Sequence, residues 1–151
     1  MNVKRIVLIG LILVAVAASL SIVAADSSVK VGGIDFNIPG GFTEEYAKDG
    51  DAVIDTDDGK VSGTAHMRGF ARGIDTIFIM VDEFDSPEDA KKALDLEKKD
   101  LNGTSKTLNG HEGMSCYTKD NGVYNFAYCK DKYFILVGST DESLLESIVP
   151  K

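Results

Sequence analysis

The alternation of apolar and polar residues gives the first signal of structure along this chain. The segment Ile34–Ile38 alternates apolar and polar side chains, which is the period-2 pattern of a half-buried strand. Val29 and Val31 extend the pattern upstream, with Gly32-Gly33 predicted as a bulge. Pro39-Gly40-Gly41 predicts the end of the strand, because proline lacks the amide donor that a β-ladder requires.

The strongest strand signal lies between residues 74 and 84. Its centre, residues 77–81, is apolar at every position and too short for a typical helix, so we expect a central strand that is buried on both faces. Between residues 43 and 63 the apolar pieces are short and are interrupted by aspartates and glycines. There the pattern predicts only hairpins and loops.

A helix is predicted over Pro87–Leu101, and the sequence marks both of its ends. Ser86 is a suitable N-cap, proline occupies the first helical position, and Asn102-Gly103 predicts the C-terminal end. One stripe of this helix is apolar, so we expect it to cover one face of a sheet. The apolar stripe consists of Ala90, Ala93, Leu94 and Leu101.

The rest of the domain predicts an antiparallel meander and a short final helix. Apolar and aromatic runs indicate strands near residues 107–108, 113–118, 123–129 and 133–139, and a helix over about residues 141–149. Strands, a helix, further strands and a last helix in this order indicate an α+β domain with a mainly antiparallel sheet.

Several of these features recur together in one known group of proteins. Gly41-Phe42 follows a strand and a proline, a strand leads into the helix capped by Ser86-Pro87-Glu88, and residues 108–113 precede an aromatic meander. Over residues 29–149 this pattern resembles the PsbP-like superfamily. The resemblance implies a small exported or envelope-associated α/β sandwich that acts as an accessory or binding subunit. It implies no site residue, because the members share no catalytic motif.

The first 25 residues have the pattern of a signal peptide or membrane anchor. Lys4 and Arg5 precede an uncharged run over residues 6–25, and the two cations should stay in the cytoplasm. The domain of residues 26–151 is therefore expected outside the cytoplasm, secreted or membrane-anchored. Small residues before Asp26 favour cleavage there. The alternative is an uncleaved anchor, since about 20 apolar residues span a bilayer.

The net negative charge of the chain excludes some classes of binding partner. The 151-residue chain has 16 Lys and Arg against 24 Asp and Glu, a formal charge of -8. Without Lys4 and Arg5 the counts are 14 and 24, a formal charge of -10. Such a surface repels phosphate backbones and anionic headgroups, which excludes nucleic acid as an expected partner. Another envelope or extracellular component is the expected partner.

No sequence motif identifies a cofactor or a catalytic centre. Glycine patterns that cradle phosphates do not occur, and Ser62-Gly63 lacks the flanking glycines of a nucleophile elbow. We therefore expect no cofactor. His111 beside Glu112 leaves a hydrolase as an alternative function, with a base and its orienting carboxylate.

A calcium-dependent binding module is a second alternative. Five aspartates lie within residues 49–58, and the candidate ligands in this acidic loop are Asp55, Asp57 and Asp58. The EF-hand pattern fails, because Gly59 stands where an acidic ligand should follow. Zinc spacing is also lacking among the possible nitrogen and sulfur ligands, which are Cys116, Cys129, His66 and His111.

The only two cysteines, Cys116 and Cys129, are predicted to form a structural disulfide outside the cytoplasm. Both lie in one predicted hairpin. If Asn121-Gly122 alone forms the turn, Cys116 pairs with Ala127. If the turn shifts by one residue, or the loop spans residues 121–124, the cysteines face each other and can bridge. The predicted disulfide therefore implies this second register of the hairpin.

Two further features bear on function. Asn102-Gly103-Thr104 is an N-glycosylation acceptor at the end of the predicted helix. Aromatic side chains of the meander line a ligand groove or, more commonly, pack across strands. The leading hypothesis is a non-catalytic exported domain that binds or supports another envelope component.

Overall fold

The structure, a computed structural model, describes residues 25–56 and 59–151. Residues 1–24 of the predicted signal or anchor lie outside this part. In chain order the described elements are β1 (Ser27–Val31), β2 (Ile34–Ile38), β3 (Thr43–Thr56), β4 (Gly59–Arg72), β5 (Asp75–Phe84), α1 (Pro87–Leu101), β6 (Thr104–Leu108), β7 (His111–Thr118), β8 (Val123–Lys130), β9 (Tyr133–Ser139) and α2 (Glu142–Ile148). The predicted α+β class, with an antiparallel sheet and two helices, is confirmed.

Within the described residues, seven strands form one antiparallel sheet in the order β3-β4-β5-β9-β8-β7-β6, and β1 and β2 form a separate two-stranded sheet. β5 is an interior strand, as predicted, beside the central β9. Gly32-Gly33 was expected to be a bulge, and this prediction is wrong. The two glycines have φ values of 54° and 84° and form the turn between β1 and β2.

Both faces of the seven-stranded sheet are covered. On one side, here the hairpin face, β1, β2 and α2 pack over large side chains that include Phe36, Phe70, Phe126, Tyr128 and Ile135. On the other side, the helix face, α1 packs over a core that includes Ala65, Ala127, Met114, Phe134 and Leu136. Alanines in the helix and in the sheet let α1 approach the sheet closely.

The helices begin and end where the sequence indicates. The Ser86 hydroxyl accepts a hydrogen bond from the Asp89 amide, and Asn102 ends α1 in the left-handed region. Asp141 caps α2 in the same way, and Leu145 of that helix is buried. Leu101 is half-buried, while the other three residues of the predicted stripe are buried. Among the described residues no helix is both long and apolar enough to cross a membrane.

The region predicted as hairpins and loops is one long hairpin. β3 and β4 have 14 residues each and pair from Thr43 with Ala71 to Thr56 with Gly59. Ala52 and Ile54 are buried on the helix face, whereas Val53 between them is exposed. The alternation is thus present in β3, but small residues and aspartates obscure it in the sequence.

Candidate functional site

β7 directs His111 and Glu112 to opposite faces of the sheet, because successive side chains of a strand alternate. On the hairpin face the His111 ring stacks on Tyr128, with 4.4 Å between the ring centroids. Its Nε2 lies 3.1 Å from the Pro150 carbonyl oxygen, which can only accept the hydrogen bond. Glu112 lines a groove on the helix face. The structure does not assemble the base and carboxylate that the hydrolase hypothesis requires.

The cysteines are both free thiols, and the predicted register of the β7–β8 hairpin is wrong. Cys116 pairs with Asn125, not with Ala127 or Cys129. Cys129 is four residues further along β8, which corresponds to about 13 Å of extended strand. A disulfide needs Cα atoms within about 7 Å of each other. The predicted bridge is therefore not present.

Both thiols are packed under α1 rather than presented for reaction. The Cys129 Sγ lies 3.2 Å from the Ala90 carbonyl oxygen and donates to it. Burial raises the pKa of Cys129 to about 11, and burial also raises the pKa of Cys116. A thiol that stays protonated at neutral pH is a weak nucleophile.

Alkylation of the denatured, unreduced native protein is expected to label both cysteines, since the strand register holds them apart. Intact mass gives the number of labels. Prior reduction of the same sample is the control and should leave the mass unchanged. Labelling that appears only after reduction would restore the disulfide and contradict the register.

Asp49, Asp51 and Asp55 lie along β3 rather than around a loop. The Asp49 carboxylate accepts hydrogen bonds from Arg68 and His66, both at 3.0 Å, and Asp55 pairs with Lys60 at 3.7 Å. Asp57 and Asp58 lie outside the described residues. No group of three or more metal-ligating side chains occurs within residues 25–56 and 59–151.

Replacing Asp49 with asparagine is expected to reduce stability more near neutral pH than in acid. The hydrogen bonds from Arg68 and then from His66 hold the pKa of Asp49 below its usual range. This stabilisation is complete above the unfolded-state pKa of about 3.9 and is lost as pH falls through the lower folded-state pKa. Because 55% of the Asp49 side chain is exposed, we expect less than about 1 kcal/mol.

Thermal melts of the parent and the Asp49→Asn variant at about pH 6 and about pH 2.5 measure this difference, which should be larger at the first pH than at the second. Asp51→Asn is the matched control, because it removes one exposed charge of β3 and leaves the hydrogen bonds of Asp49 intact. An equal loss of stability at both pH values would contradict the assignment.

A groove on the helix face, the α1–β6 groove, runs between α1 and the edge strand β6 and has a volume of about 610 Å³. Leu94 and Cys129 are its less exposed apolar lining residues. Lys91 and Lys98 line it from α1, and Glu112 lines it from β7. The groove exists because α1 packs mainly over β5, β8 and β9 rather than over the edge strand β6.

Beside this groove, β6 has backbone N–H and C=O groups that point away from β7 and can pair with a further strand. Asn109 and Gly110 both have positive φ, 52° and 86°, and form a two-residue turn between β6 and β7. Leu108 and His111, which flank such a turn, exchange both backbone hydrogen bonds, and the pattern alternates along the strand. Ser105 and Thr107 are out of phase with that pair, so their backbone groups point away from β7.

The opposite edge of the sheet is protected against pairing in a way that β6 is not. β3 has a register irregularity between Glu44 and Tyr46, and charged residues lie along it. Bulges and charges are common devices that prevent strand addition. β6 has a single charged residue, Lys106, whose amine bonds Glu142 of α2 at 3.2 Å on the hairpin face. β6 is therefore the more accessible edge.

A second groove, of about 670 Å³, lies on the hairpin face between β2 and the C-terminal part of α2. Polar residues dominate its lining, among them Asp35, Asn37, Ser143, Glu146 and Ser147. The helix that borders it has seven residues. None of the candidate catalytic or metal-binding residues described above lines this groove.

The aromatic residues of the meander mostly pack within the fold. Phe126, Tyr128 and Phe134 are buried, and Tyr117 pairs with Tyr124 across β7 and β8 with ring centroids 4.6 Å apart. This is cross-strand packing rather than the lining of a groove. Asn102 is exposed at the end of α1, where a glycosylation enzyme can reach it.

Comparison of the chain with models of protein families, with curated proteins and with solved structures found no match. The PsbP-like resemblance stays a prediction from the order of the sequence features. The function must be inferred from the grooves, the sheet edge and the N-terminal sequence.

Proposed function

We propose that the chain is an exported, non-catalytic domain that binds an extended segment of another envelope component along β6. The observation that carries this proposal is the open edge of β6 directly beside the α1–β6 groove. The basic and uncharged regions of residues 1–25 support the location outside the cytoplasm.

Addition of a strand would use the open edge of β6 and the α1–β6 groove at the same time. A segment that pairs with Ser105 and Thr107 extends the sheet by one strand, and its alternate side chains point to the helix face. Those side chains would contact Leu94 at the base of the α1–β6 groove. Backbone pairing would supply affinity, and the groove would select the side chains.

The charges at the groove favour a segment that combines apolar and acidic side chains. Lys91 and Lys98 lie about two turns apart on α1 along one side of the groove. Carboxylates of the bound segment near these lysines would gain attraction without burial of an unpaired charge. Glu112 and Asp131 also line the groove, so this attraction is confined to the side formed by α1.

The test is a pair of substitutions at Thr107 with a photoreactive residue at Ser105, introduced into the native cells. Thr107→Pro removes one outward amide while leaving the hydrogen bonds between β6 and β7, whereas Thr107→Ala retains the amide. We expect a discrete crosslinked partner with Thr107→Ala and at least about a tenfold lower yield with Thr107→Pro.

Thermal melts of both Thr107 variants establish that each is folded. A photoreactive residue at Ser62, an exposed position in β4, is the control for unspecific crosslinking. Equal yields from the two Thr107 variants, or the same adduct from Ser62, would contradict binding at the β6 edge.

A further inference from the structure

The chain enters the described domain at one defined end of the sheet, here the tether end. The Gly40 amide donates to the Asp26 carboxylate at 2.9 Å, and Arg72 Nη1 donates to the Gly40 carbonyl oxygen at 3.2 Å. Arg72 is the last residue of β4. Asp26 is therefore fixed next to the turn that connects β4 and β5.

That turn exposes a large apolar side chain. Ile74 is 92% exposed, and Gly73 before it has a φ of 62°, which permits a tight turn. Arg72 braces the base of the turn, since it bonds Asp75 at 3.3 Å and lies over the Phe42 ring at 4.4 Å. These Arg72 contacts hold the turn in place and therefore fix the position of the exposed Ile74 side chain.

A second exposed apolar side chain lies at the same end. The Thr76 amide donates to the Thr140 hydroxyl at 2.9 Å, so the end of β9 adjoins the beginning of β5. Tyr124 of β8 pairs with Ser139 of β9 and contacts Tyr117, which is 50% exposed. Ile74 and Tyr117 thus lie along one end of the sheet, three strands apart.

Almost no linker separates this end from the uncharged N-terminal run. Residues 6–25 are uncharged, and Asp26 is already hydrogen-bonded to Gly40. One residue spans at most about 3.6 Å of chain. If residues 6–25 cross a bilayer, the tether end must lie against the surface of that bilayer.

We propose that the uncharged run is retained as an anchor and that Ile74 and Tyr117 insert into the interface of the same bilayer. This inference rests on the proposed export of the chain and favours the anchor over cleavage before Asp26. The isoleucine adds apolar burial, and tyrosine is enriched at membrane interfaces because its ring is apolar and its hydroxyl is polar. The net negative charge of the chain favours a zwitterionic rather than an anionic surface.

Docking at this end would fix the orientation of the domain. The α1–β6 groove lies on a side face of the sheet, so it would remain accessible to a partner while the tether end faces the lipid. One anchor alone allows the domain to rotate about its attachment point. Two inserted side chains at separate strands would remove that freedom.

A single tryptophan tests this docking directly, because the chain has none. The full chain with Ile74→Trp is reconstituted in phosphatidylcholine vesicles, with and without bromine on the acyl chains. Val53→Trp is the matched control, because Val53 is also exposed but lies far from the tether end. Thr43 pairs with Ala71 at the tether end, and Val53 is ten residues further along β3. We expect a blue-shifted emission and bromine quenching at position 74 and neither at position 53.

Flotation of the vesicles separates the possible failures. A chain that floats while the tryptophan at position 74 stays unquenched would overturn the docking but leave the anchor and the β6 binding intact. A blue shift without bromine quenching would indicate contact with a second copy and would also overturn it. A chain that does not float would exclude the anchor, and the crosslinking at Ser105 would still test the proposed function separately.

Discussion

Replacing Leu94 with alanine is expected to lower the free energy of unfolding by about 2 to 5 kcal/mol. Leu94 is 7% exposed and packs between α1 and the helix face of the sheet. The buried cluster that contains Leu94 includes several alanines, whose short side chains cannot move to fill a cavity. The loss therefore includes the transfer of the leucine side chain and the cavity that it leaves. Denaturant unfolding measures the difference.

Lys99→Ala is the matched control on the exposed side of α1, and it should change stability by less than about 0.5 kcal/mol. Helix propensity differs little among leucine, lysine and alanine, so the two variants differ chiefly in burial. Similar unfolding midpoints for the Leu94 variant and the parent would show that α1 does not pack as described.

Replacing Gly113 with alanine is expected to cost about 1 to 3 kcal/mol or more. A Cβ atom at this position would collide with the Ala127 carbonyl oxygen of β8 and lie 3.0 Å from the Phe126 ring and from the Tyr128 Cβ. β8 is hydrogen-bonded to β7 and β9 on its two sides, so its backbone has little freedom to withdraw. Unfolding by heat or denaturant measures the cost.

Gly50→Ala in β3 is the control for the intrinsic effect of removing a glycine from a strand. A Cβ at Gly50 meets nothing within 4 Å. We expect this variant to be neutral or stabilised by about 0.4 to 1 kcal/mol, because alanine restricts the unfolded chain. Equal effects of the two alanine variants would contradict the close approach of β8 to Gly113.

The elements that the sequence predicts correctly depend on local chemistry. Ser86 supplies the N-cap of α1, Pro87 suits its first turn, and Asn102 adopts the left-handed conformation that ends it. Each of these interactions is made within a few residues, so one sequence is enough to identify it. The apolar run of β5 is similarly local, and its interior position follows from burial on both faces.

The β3–β4 hairpin is different, because distant pairing stabilises it. Gly50 and Ala52 are weak strand formers, and their side of β3 becomes apolar only through contact with β4 and the helix face. The tertiary contacts override the local preferences here. The sequence pattern of residues 43–63 does not contain that information.

The register of β7 and β8 depends on the position of one Asn-Gly pair within its loop. The loop comprises residues 119–122, and the Gly122 amide donates to the Thr118 carbonyl oxygen at 2.9 Å. Asn121 accepts a hydrogen bond from the Val123 amide, so the pair forms the end of a four-residue loop rather than the centre of a turn. The sequence allows both arrangements, and the predicted disulfide was based on the wrong one.

The candidate binding site was not predicted from the sequence for a physical reason. β6 is open because it is the last strand in the order of the sheet and α1 packs mainly over β5, β8 and β9. Both facts depend on long-range topology. The residues that line the groove, such as Leu94 and Cys129, have no motif in common and come together only in the folded chain.

The location of the folded domain outside the cytoplasm is the central claim, and surface labelling of intact cells tests it most directly. Ser62→Cys introduces a thiol of similar size at an exposed position of β4, while Cys116 and Cys129 are half-buried and provide the background in the unmodified chain. We predict that a membrane-impermeant maleimide labels the Ser62→Cys variant in intact cells as fully as after permeabilisation. Labelling that requires permeabilisation would place the domain in the cytoplasm and contradict the account.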